Sequence, residues 1–252
     1  MKLHTLGRGK RIQVCGQLLA ASLEKCGYSD IFLLPIPSTR DKIHITGTDI
    51  TVEELSSLIT EGSLIVGYGI PPELAARARL VGAEICDTQC DERFLKENAE
   101  LTAHGTAGVI MTRHSEDISE LKIGIIGYGR IGKILCRILL FLGADVVVFT
   151  RRESTRLDLC GIGIDAFGTE SVGSRCDCDI IINTAPAKII TAEQAAELIS
   201  SGTELMELAS GEALPDVEGV VRLPSIPDKM YPVSAGRIYA RSAIRQAEGR
   251  GK

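Results

Sequence analysis

The residues whose spacing points most directly to chemistry are three glycines. Gly127, Gly129 and Gly132 give G-x-G-x-x-G within the stretch LKIGIIGYGRIGKILCRILL. Between a strand and a helix, such glycines permit a tight turn, a close approach of the backbone to a diphosphate, and close helix–strand packing. The helix N-terminus then offers free N–H groups and a favourable dipole to the anion. The pattern predicts dinucleotide binding; glycines kept for packing alone in a degenerate domain are the alternative.

The residues between these glycines are expected to line the same turn. They are Tyr128, Arg130 and Ile131. A run of apolar residues follows at helical spacing, and a second apolar run, Asp145 to Thr150, reads as the next strand. A glycine pattern that follows one strand, opens a helix and leads to another strand is far more specific than the glycines alone.

Arginines occupy the end of that second strand, in the sequence Thr150-Arg151-Arg152. NAD-binding enzymes usually carry Asp or Glu about 20 residues after the glycines, where it accepts a hydrogen bond from the ribose 2′-hydroxyl. An acid would repel a 2′-phosphate, whereas a guanidinium binds it bidentately. We therefore predict NADP as the cofactor. NAD, with Glu153 turned back to the ribose, is the alternative, and a solvated surface turn is a third interpretation.

Three further segments are expected at the same edge of the sheet, because ligands of an open α/β sheet bind beyond the carboxyl ends of its strands. Thr184, Ala185 and Pro186 follow the predicted fourth strand and should line the nicotinamide-ribose side. Ser210 follows the fifth strand and could donate to a substrate carboxylate or to the carboxamide. Ordinary turn chemistry also explains these residue types.

Histidine, the usual acid/base of hydroxy-acid dehydrogenases, is scarce here. The chain has four histidines, and none follows the predicted fourth strand. His104 lies in a helical connector between the two halves of the chain, beside the expected cleft. It is the candidate acid/base; a helical histidine with an ordinary partner is the alternative.

The elements that must position these residues alternate between strands and helices, which predicts an α/β fold with parallel sheets. We expect a doubly wound parallel (Rossmann) dinucleotide-binding domain and a smaller, flavodoxin-like α/β N-terminal domain. The predicted boundaries are 1–97 for the N-terminal domain, 98–117 for the connector, 118–233 for the Rossmann domain, and 234–252 for a C-terminal helix packing on the N-terminal domain. Thr51 and Glu54 form a capping box that opens one of the N-terminal helices.

Composition excludes several classes of protein. The 252 residues carry a net charge of −5, so no global basic field favours nucleic acid or an anionic membrane. No apolar run approaches the roughly 20 residues of a membrane span. The eight cysteines show no metal-binding or redox spacing and have no histidine nearby, which predicts no metal and plain thiols in the cytoplasm.

A set of short segments resembles the dipicolinate synthase A-subunit family of spore-forming bacteria. In chain order these segments are LTAHGTAGVIMTRHSEDI, GIIGYGRIG, NTAPAKII, LMELAS and LPSIPDKMYPVSAGRIYA. The resemblance runs from Thr102 to the C-terminus. The layout is also similar to that of D-2-hydroxyacid dehydrogenases, although Pro227 stands where their late Pro-His pair has histidine.

The resemblance implies a sporulation enzyme that oxidises a dihydrodipicolinate-type dicarboxylate to pyridine-2,6-dicarboxylate by hydride transfer. It also implies, as the partner of this enzyme, a flavoprotein-like B-subunit. A homodimer is usual for this layout. The candidate residues for holding the substrate carboxylates are Ser210, Lys229, Ser234 and Arg237; solvated surface charges are the alternative for Lys229 and Arg237.

Two positions depart from the family pattern. Lys10 stands at the aspartate place of the family's GDxR turn, and His104 stands where the family often carries glutamate. Two other functions therefore stay open: an NAD(P)-dependent reductase of another small carboxylate, and a cofactor-binding partner or sensor with little turnover.

Overall fold

The computed structural model describes residues 1–173, 177–209 and 213–249. It divides into two compact units. The first unit combines Met1–Asn98 with Pro227–Lys252, and the second contains Ala99–Ile226. The first unit is therefore discontinuous in sequence, whereas the second is one continuous stretch.

A four-stranded parallel sheet forms the centre of the first unit, with its strands in the order β1-β2-β3-β4. The strands are β1 (Lys2–Thr5), β2 (Asp30–Leu33), β3 (Leu64–Gly67) and β4 (Glu84–Asp87). The helices are α1 (Lys10–Leu23), α2 (Val52–Leu58), α3 (Pro72–Val81), α8 (Ile226–Met230) and α9 (Pro232–Glu248), together with the start of α4 (Glu92–Arg113). The order β1-β2-β3-β4 has no reversal, which distinguishes this sheet from the flavodoxin order 2-1-3-4-5.

Two features of this unit explain its local structure. Thr51 caps α2, since its hydroxyl accepts from the N–H of Glu54 at 3.0 Å while the Glu54 carboxylate accepts from the N–H of Thr51 at 2.8 Å. The predicted capping box is therefore present. The fully buried Tyr239 of α9 donates its hydroxyl hydrogen to the carbonyl of Leu34 at 2.8 Å. This bond ties α9 to the end of β2.

Arg11 is a buried cation in the first turn of α1. Its guanidinium donates to Asp228 at 3.2 Å and to Asn98 at 3.1 Å. The guanidinium carbon lies 5.9 Å from the ring centre of Phe94 and 5.7 Å from that of Tyr239. A paired and ring-stacked arginine of this kind fixes the packing of the segments around it.

The second unit is built on a six-stranded parallel sheet with the order β10-β9-β8-β5-β6-β7. The strands are β5 (Lys122–Ile126), β6 (Asp145–Phe149), β7 (Asp165–Phe167), β8 (Ile180–Asn183), β9 (Glu204–Glu207) and β10 (Val221–Arg222). The helices are the rest of α4, α5 (Arg130–Phe141), α6 (Glu153–Gly161) and α7 (Ala192–Ser200). Counted from β5, this is the doubly wound order 3-2-1-4-5-6, with its switch point between β5 and β8.

The four central strands of this sheet end in register. Ile126 pairs with Phe149 on one side and with Asn183 on the other, and Asn183 pairs with Glu207. Buried apolar side chains lie on both faces of these strands, as is typical of a parallel sheet. The residues that directly follow these four strands therefore lie together at the carboxyl edge of the sheet, where ligands of such sheets bind.

The predicted fold class is confirmed: an α/β protein with a Rossmann sheet and a second, smaller parallel sheet. Several predicted bounds were wrong. The strand β1 and the short helix α8 were not predicted, and the last helix begins at Pro232 rather than Ser234. The segment from Pro227 onward groups with the first unit, whereas the predicted Rossmann domain extends to residue 233. No helix among the described residues is long and apolar enough to cross a membrane.

Candidate functional site

The glycine turn after β5 is folded so tightly that no residue with a side chain fits well at two of its positions, Gly127 and Gly132. Gly127 has a φ of +93°, a region that side-chain-bearing residues rarely adopt. Its N–H donates to the carbonyl of Phe149 at 2.8 Å. A Cβ on Gly132 would lie 2.2 Å from the carbonyl oxygen of Gly127. The turn and the first turn of α5 therefore touch at backbone distance, as predicted for the third glycine of the pattern.

Gly129 differs, because a Cβ there would meet no atom within 4 Å. It is the N-cap of α5, its position lacks a side-chain cap, and the first turn of α5 contains no acid. The first N–H groups of α5 are thus open at a place where the backbone is bare. This arrangement fits a diphosphate, which would use the N–H groups and the helix dipole together.

The other residues of the turn flank this opening. Tyr128 is half-buried against the core of the second unit, and burial raises the pKa of its phenol. Lys133 Nζ lies 5.6 Å from the centre of the Tyr128 ring, a cation–π contact. Arg130 is exposed at the start of α5, and Ile131 is half-buried. These flanking side chains are cationic, aromatic or apolar, so none of them would repel a diphosphate.

The arginine turn, Thr150 to Arg152, follows β6 directly. Arg151 and Arg152 are exposed, and neither side chain has a hydrogen bond or ion pair with any residue that the structure describes. Thr150 is buried. Arg156, in α6, donates from one guanidinium nitrogen to the carbonyl of Thr150 at 2.9 Å and to that of Arg151 at 3.0 Å. Arg156 therefore holds the backbone of the turn and leaves its two neighbouring arginines free for a ligand.

Glu153, the alternative contact for a ribose, is exposed in the first turn of α6. An acid at that place interacts favourably with the helix dipole without any ligand. Its position therefore has an ordinary structural explanation.

The loop after β8 is joined to the glycine turn by a hydroxyl. Thr184 Oγ1 donates to the carbonyl of Ile126 at 3.0 Å and lies 3.2 Å from that of Gly127. The Thr184 hydroxyl is thus committed to the turn rather than offered to a ribose. Ala185 lies against Gly127, and Pro186 is exposed.

Sequence reasoning did not single out Glu207, a buried carboxylate at the end of β9. Its exposed fraction is 4%. It accepts hydrogen bonds from the side chain of Asn183 and from the backbone N–H groups of Ala209 and Leu214. The sequence does contain a signal for Glu207, because the segment LMELAS places an acid at the end of a predicted apolar strand. A charge at such a place needs buried partners.

The candidate catalytic residues are dispersed over the two units. His104 is exposed on α4 within the second unit. Lys229 on α8 and Arg237 on α9 are exposed and belong to the first unit. Ser210 lies outside the described residues. The roles of these residues stay predictions.

Among the described residues, no group of His, Cys, Asp or Glu side chains could hold a metal ion. The described cysteines are free thiols. Burial raises the pKa of Cys136 to about 11 and that of Cys15 further still, so these thiols are protonated and unreactive.

Comparisons with known proteins agree with this geometry. Residues 92–202 match the family described as D-isomer specific 2-hydroxyacid dehydrogenase, NAD binding domain. The dipicolinate synthase A-subunit of Bacillus subtilis (strain 168) is 27% identical over 151 residues, which are 57% of this chain and 50% of that protein. The match thus spans about half the length of the curated relative.

Solved structures extend the similarity to nearly the whole fold. The dipicolinate synthase A-subunit from Bacillus halodurans has a TM-score of 0.77 at 20% identity, covering 98% of this chain and 97% of that one. Its counterpart from Bacillus subtilis has a TM-score of 0.75 at 19% identity, covering 99% and 97%. The chain resembles the dipicolinate synthase A-subunit. The resemblance indicated by the short segments is thereby confirmed, and the second unit has the Rossmann-type fold of an NAD-binding domain.

Proposed function

We propose that this chain is an NADP-dependent oxidoreductase subunit that oxidises a dihydrodipicolinate-type dicarboxylate to dipicolinate. The observation that carries the cofactor preference is the arginine turn. Arg151 and Arg152 are unpaired among the described residues at the place where NAD-specific enzymes have an acid. Two free guanidinium groups there favour a 2′-phosphate over a bare 2′-hydroxyl. NAD is the alternative cofactor.

Each part of the carboxyl edge has a separate task in this proposal. The uncapped N-terminus of α5 binds the diphosphate above Gly129, and the arginine turn binds the adenosine 2′-phosphate. The loop from Thr184 to Pro186 lines the nicotinamide-ribose side. When bound, the nicotinamide supplies a hydride acceptor.

The proposed reaction needs little acid/base machinery. The dihydropyridine ring loses a hydride from one ring carbon to the cofactor and a proton to a base, which leaves an aromatic pyridine. His104 is the proposed proton acceptor. Lys229 and Arg237, with Ser210, are the proposed partners of the two substrate carboxylates, which they would hold in a reactive orientation.

The test combines the full chain, a flavoprotein-like B-subunit, the dihydro precursor and either NADP or NAD. We expect dipicolinate and reduced cofactor to appear in equal amounts, with NADP favoured. Cofactor binding without turnover of any carboxylate would contradict an enzyme and support the sensor. Tighter binding of NAD than of NADP would overturn the cofactor preference alone.

Variants separate the proposed substrate residues from the cofactor site. Lys229→Ala and Arg237→Ala should abolish turnover and leave NADP affinity unchanged. Arg79→Ala is the matched control, because Arg79 is an exposed arginine on α3 of the same unit. If Arg237→Ala behaves like Arg79→Ala, Arg237 is a solvated surface charge and has no role in substrate binding.

A second candidate function is reduction of a 2-oxo carboxylate. The family match over residues 92–202 favours it, because that domain belongs to 2-hydroxyacid dehydrogenases. It predicts oxidation of NADPH or NADH when a 2-oxo acid is added to the chain without any second protein. The same assay with the dihydro precursor distinguishes the two functions.

A further inference from the structure

Two loops at the carboxyl edge of the second unit are tied together by one buried pair of polar side chains. Asn183 ends β8 and Glu207 ends β9, and the two residues are direct neighbours in the sheet register. Their exposed fractions are 1% and 4%. Asn183 donates from Nδ2 to a carboxylate oxygen of Glu207 at 3.0 Å. Neither residue has a part in the function proposed above.

Glu207 organises the loop that follows its own strand. One carboxylate oxygen accepts from the N–H of Ala209 at 2.9 Å, and the other accepts from the N–H of Leu214. The two N–H groups lie on either side of residues 210–212. With the Asn183 bond, the carboxylate has three donors, which compensates for the loss of water around a buried acid.

Asn183 organises the other loop. Its Oδ1 accepts from the N–H of Ala185 at 3.1 Å, and its Nδ2 donates to the carbonyl of the same residue at 3.1 Å. Ala185 lies against Gly127, and the next residue back, Thr184, bonds to the carbonyl of Ile126. The pair is therefore connected, through one short loop, to the turn on which the diphosphate is expected.

We infer that Asn183 and Glu207 are positioning residues for the nicotinamide half of the cofactor. The inference rests on the proposed dinucleotide function. β8 and β9 lie on one side of β5 and the arginine turn on the other, so the two halves of a dinucleotide lie over different strands. The pair fixes only the loops on the β8–β9 side. Loss of the pair should therefore weaken contacts to the nicotinamide and spare those to the adenosine.

The substitution Glu207→Gln tests this directly. Glutamine keeps the shape but presents an NH₂ group to a backbone N–H or to Asn183, so at least one bond is lost. Two ligands are titrated against the full-length protein: NADPH, and adenosine 2′,5′-bisphosphate, which lacks the second phosphate, the second ribose and the nicotinamide. We expect about a tenfold loss of affinity for NADPH, the size expected for one charge-assisted hydrogen bond, and no change for the fragment.

Two further variants make the test decisive. Asn183→Ser is milder and should also weaken NADPH selectively, so it carries the test if Glu207→Gln does not fold. Glu197→Gln is the matched control, because Glu197 is an exposed carboxylate on α7 of the same unit. It should change neither affinity.

The outcomes separate the inference from the function on which it rests. If the unmodified protein binds neither NADPH nor NADH, the proposed function fails. If it binds NADH more tightly, the same comparison is made with NADH and AMP. Two results, obtained with an unmodified protein that binds a cofactor, would show that the positioning role is wrong. In the first, the Glu207 and Asn183 variants bind both ligands as tightly as the unmodified protein does. In the second, they lose affinity for both ligands by the same factor.

Discussion

The arginine turn after β6 and the two loops after β8 and β9 lie at the same edge of one sheet but are held in different ways. The turn is fixed through its backbone: Arg156 donates to the carbonyls of Thr150 and Arg151, and the neighbouring guanidinium groups stay exposed. The loops are fixed through a buried side-chain pair, Asn183 and Glu207.

This difference implies that the arginine turn selects the cofactor, whereas the two loops position its reactive end. Exposed charges can distinguish a phosphate from a hydroxyl without burying an ion, so they affect folding little when they are changed. A buried carboxylate must keep all its donors, because an unmatched partner costs about 1–3 kcal/mol. Substitutions in the turn should therefore change which cofactor binds, and substitutions in the loops should change how well its reactive end is held.

The glycine turn lies between the two regions, and its loss should have the largest effect. Gly132→Ala places a Cβ at 2.2 Å from the Gly127 carbonyl, so α5 must shift. We expect roughly 1–3 kcal/mol of lost stability and the loss of both halves of the cofactor site. Thermal unfolding and NADPH titration measure this.

Gly129→Ala is the matched control for that prediction. A Cβ at Gly129 meets no protein atom within 4 Å, so stability should be unchanged while cofactor affinity falls. Unchanged cofactor affinity of Gly129→Ala would show that the space above Gly129 does not receive the diphosphate.

Replacing both Arg151 and Arg152 with alanine should have the next largest effect. Two lost charge-assisted interactions correspond to about a 100-fold weaker binding of NADPH, with NADH binding unchanged. Parallel titrations of the two cofactors measure the ratio. An equal loss for both cofactors would mean that the turn does not recognise the 2′-phosphate.

Arg156→Ala should give a smaller loss, about tenfold for NADPH, because the turn loses its clamp but keeps its two free arginines. Arg156→Lys should recover only part of it, since an ammonium cannot reproduce the planar guanidinium geometry. The control is Arg137→Ala, an exposed arginine in the middle of α5. If Arg137→Ala weakens NADPH as much, net charge rather than the clamp is responsible.

The smallest expected effect is the coupling between the two regions. Arg152→Ala and Glu207→Gln act on opposite sides of the switch point and share no partner, so their free energies of NADPH binding should add within about 0.5 kcal/mol. A double-mutant cycle measures the coupling. A larger coupling free energy would show that the arginine turn and the two loops do not act independently in binding NADPH.

Local signals in the sequence were enough for some elements of both units. The glycine pattern located the tight turn because its geometry depends on adjacent residues, and the Thr51 capping box was readable for the same reason. By contrast, β1 was missed because it is a short edge strand with mixed exposure, and α8 was missed because it has only five residues. Short elements of this kind are decided by tertiary packing.

The long-range parts of the site were not predictable in this way. The Asn183–Glu207 pair joins residues 24 positions apart, and only the strand order makes them neighbours. Arg156 lies in the first turn of α6, and the sequence at such a position gives no sign that the side chain reaches back to the preceding loop. The preference for NADP rests on residue types at one strand end, and it stays a prediction.

The discontinuity of the first unit affects the order in which the protein can fold as it is synthesised. The second unit is encoded without interruption, so all of its strands are synthesised before α9. The first unit cannot complete its core until Tyr239 arrives to bond the end of β2. During synthesis the N-terminal sheet therefore stays incompletely covered until the whole second unit has been made.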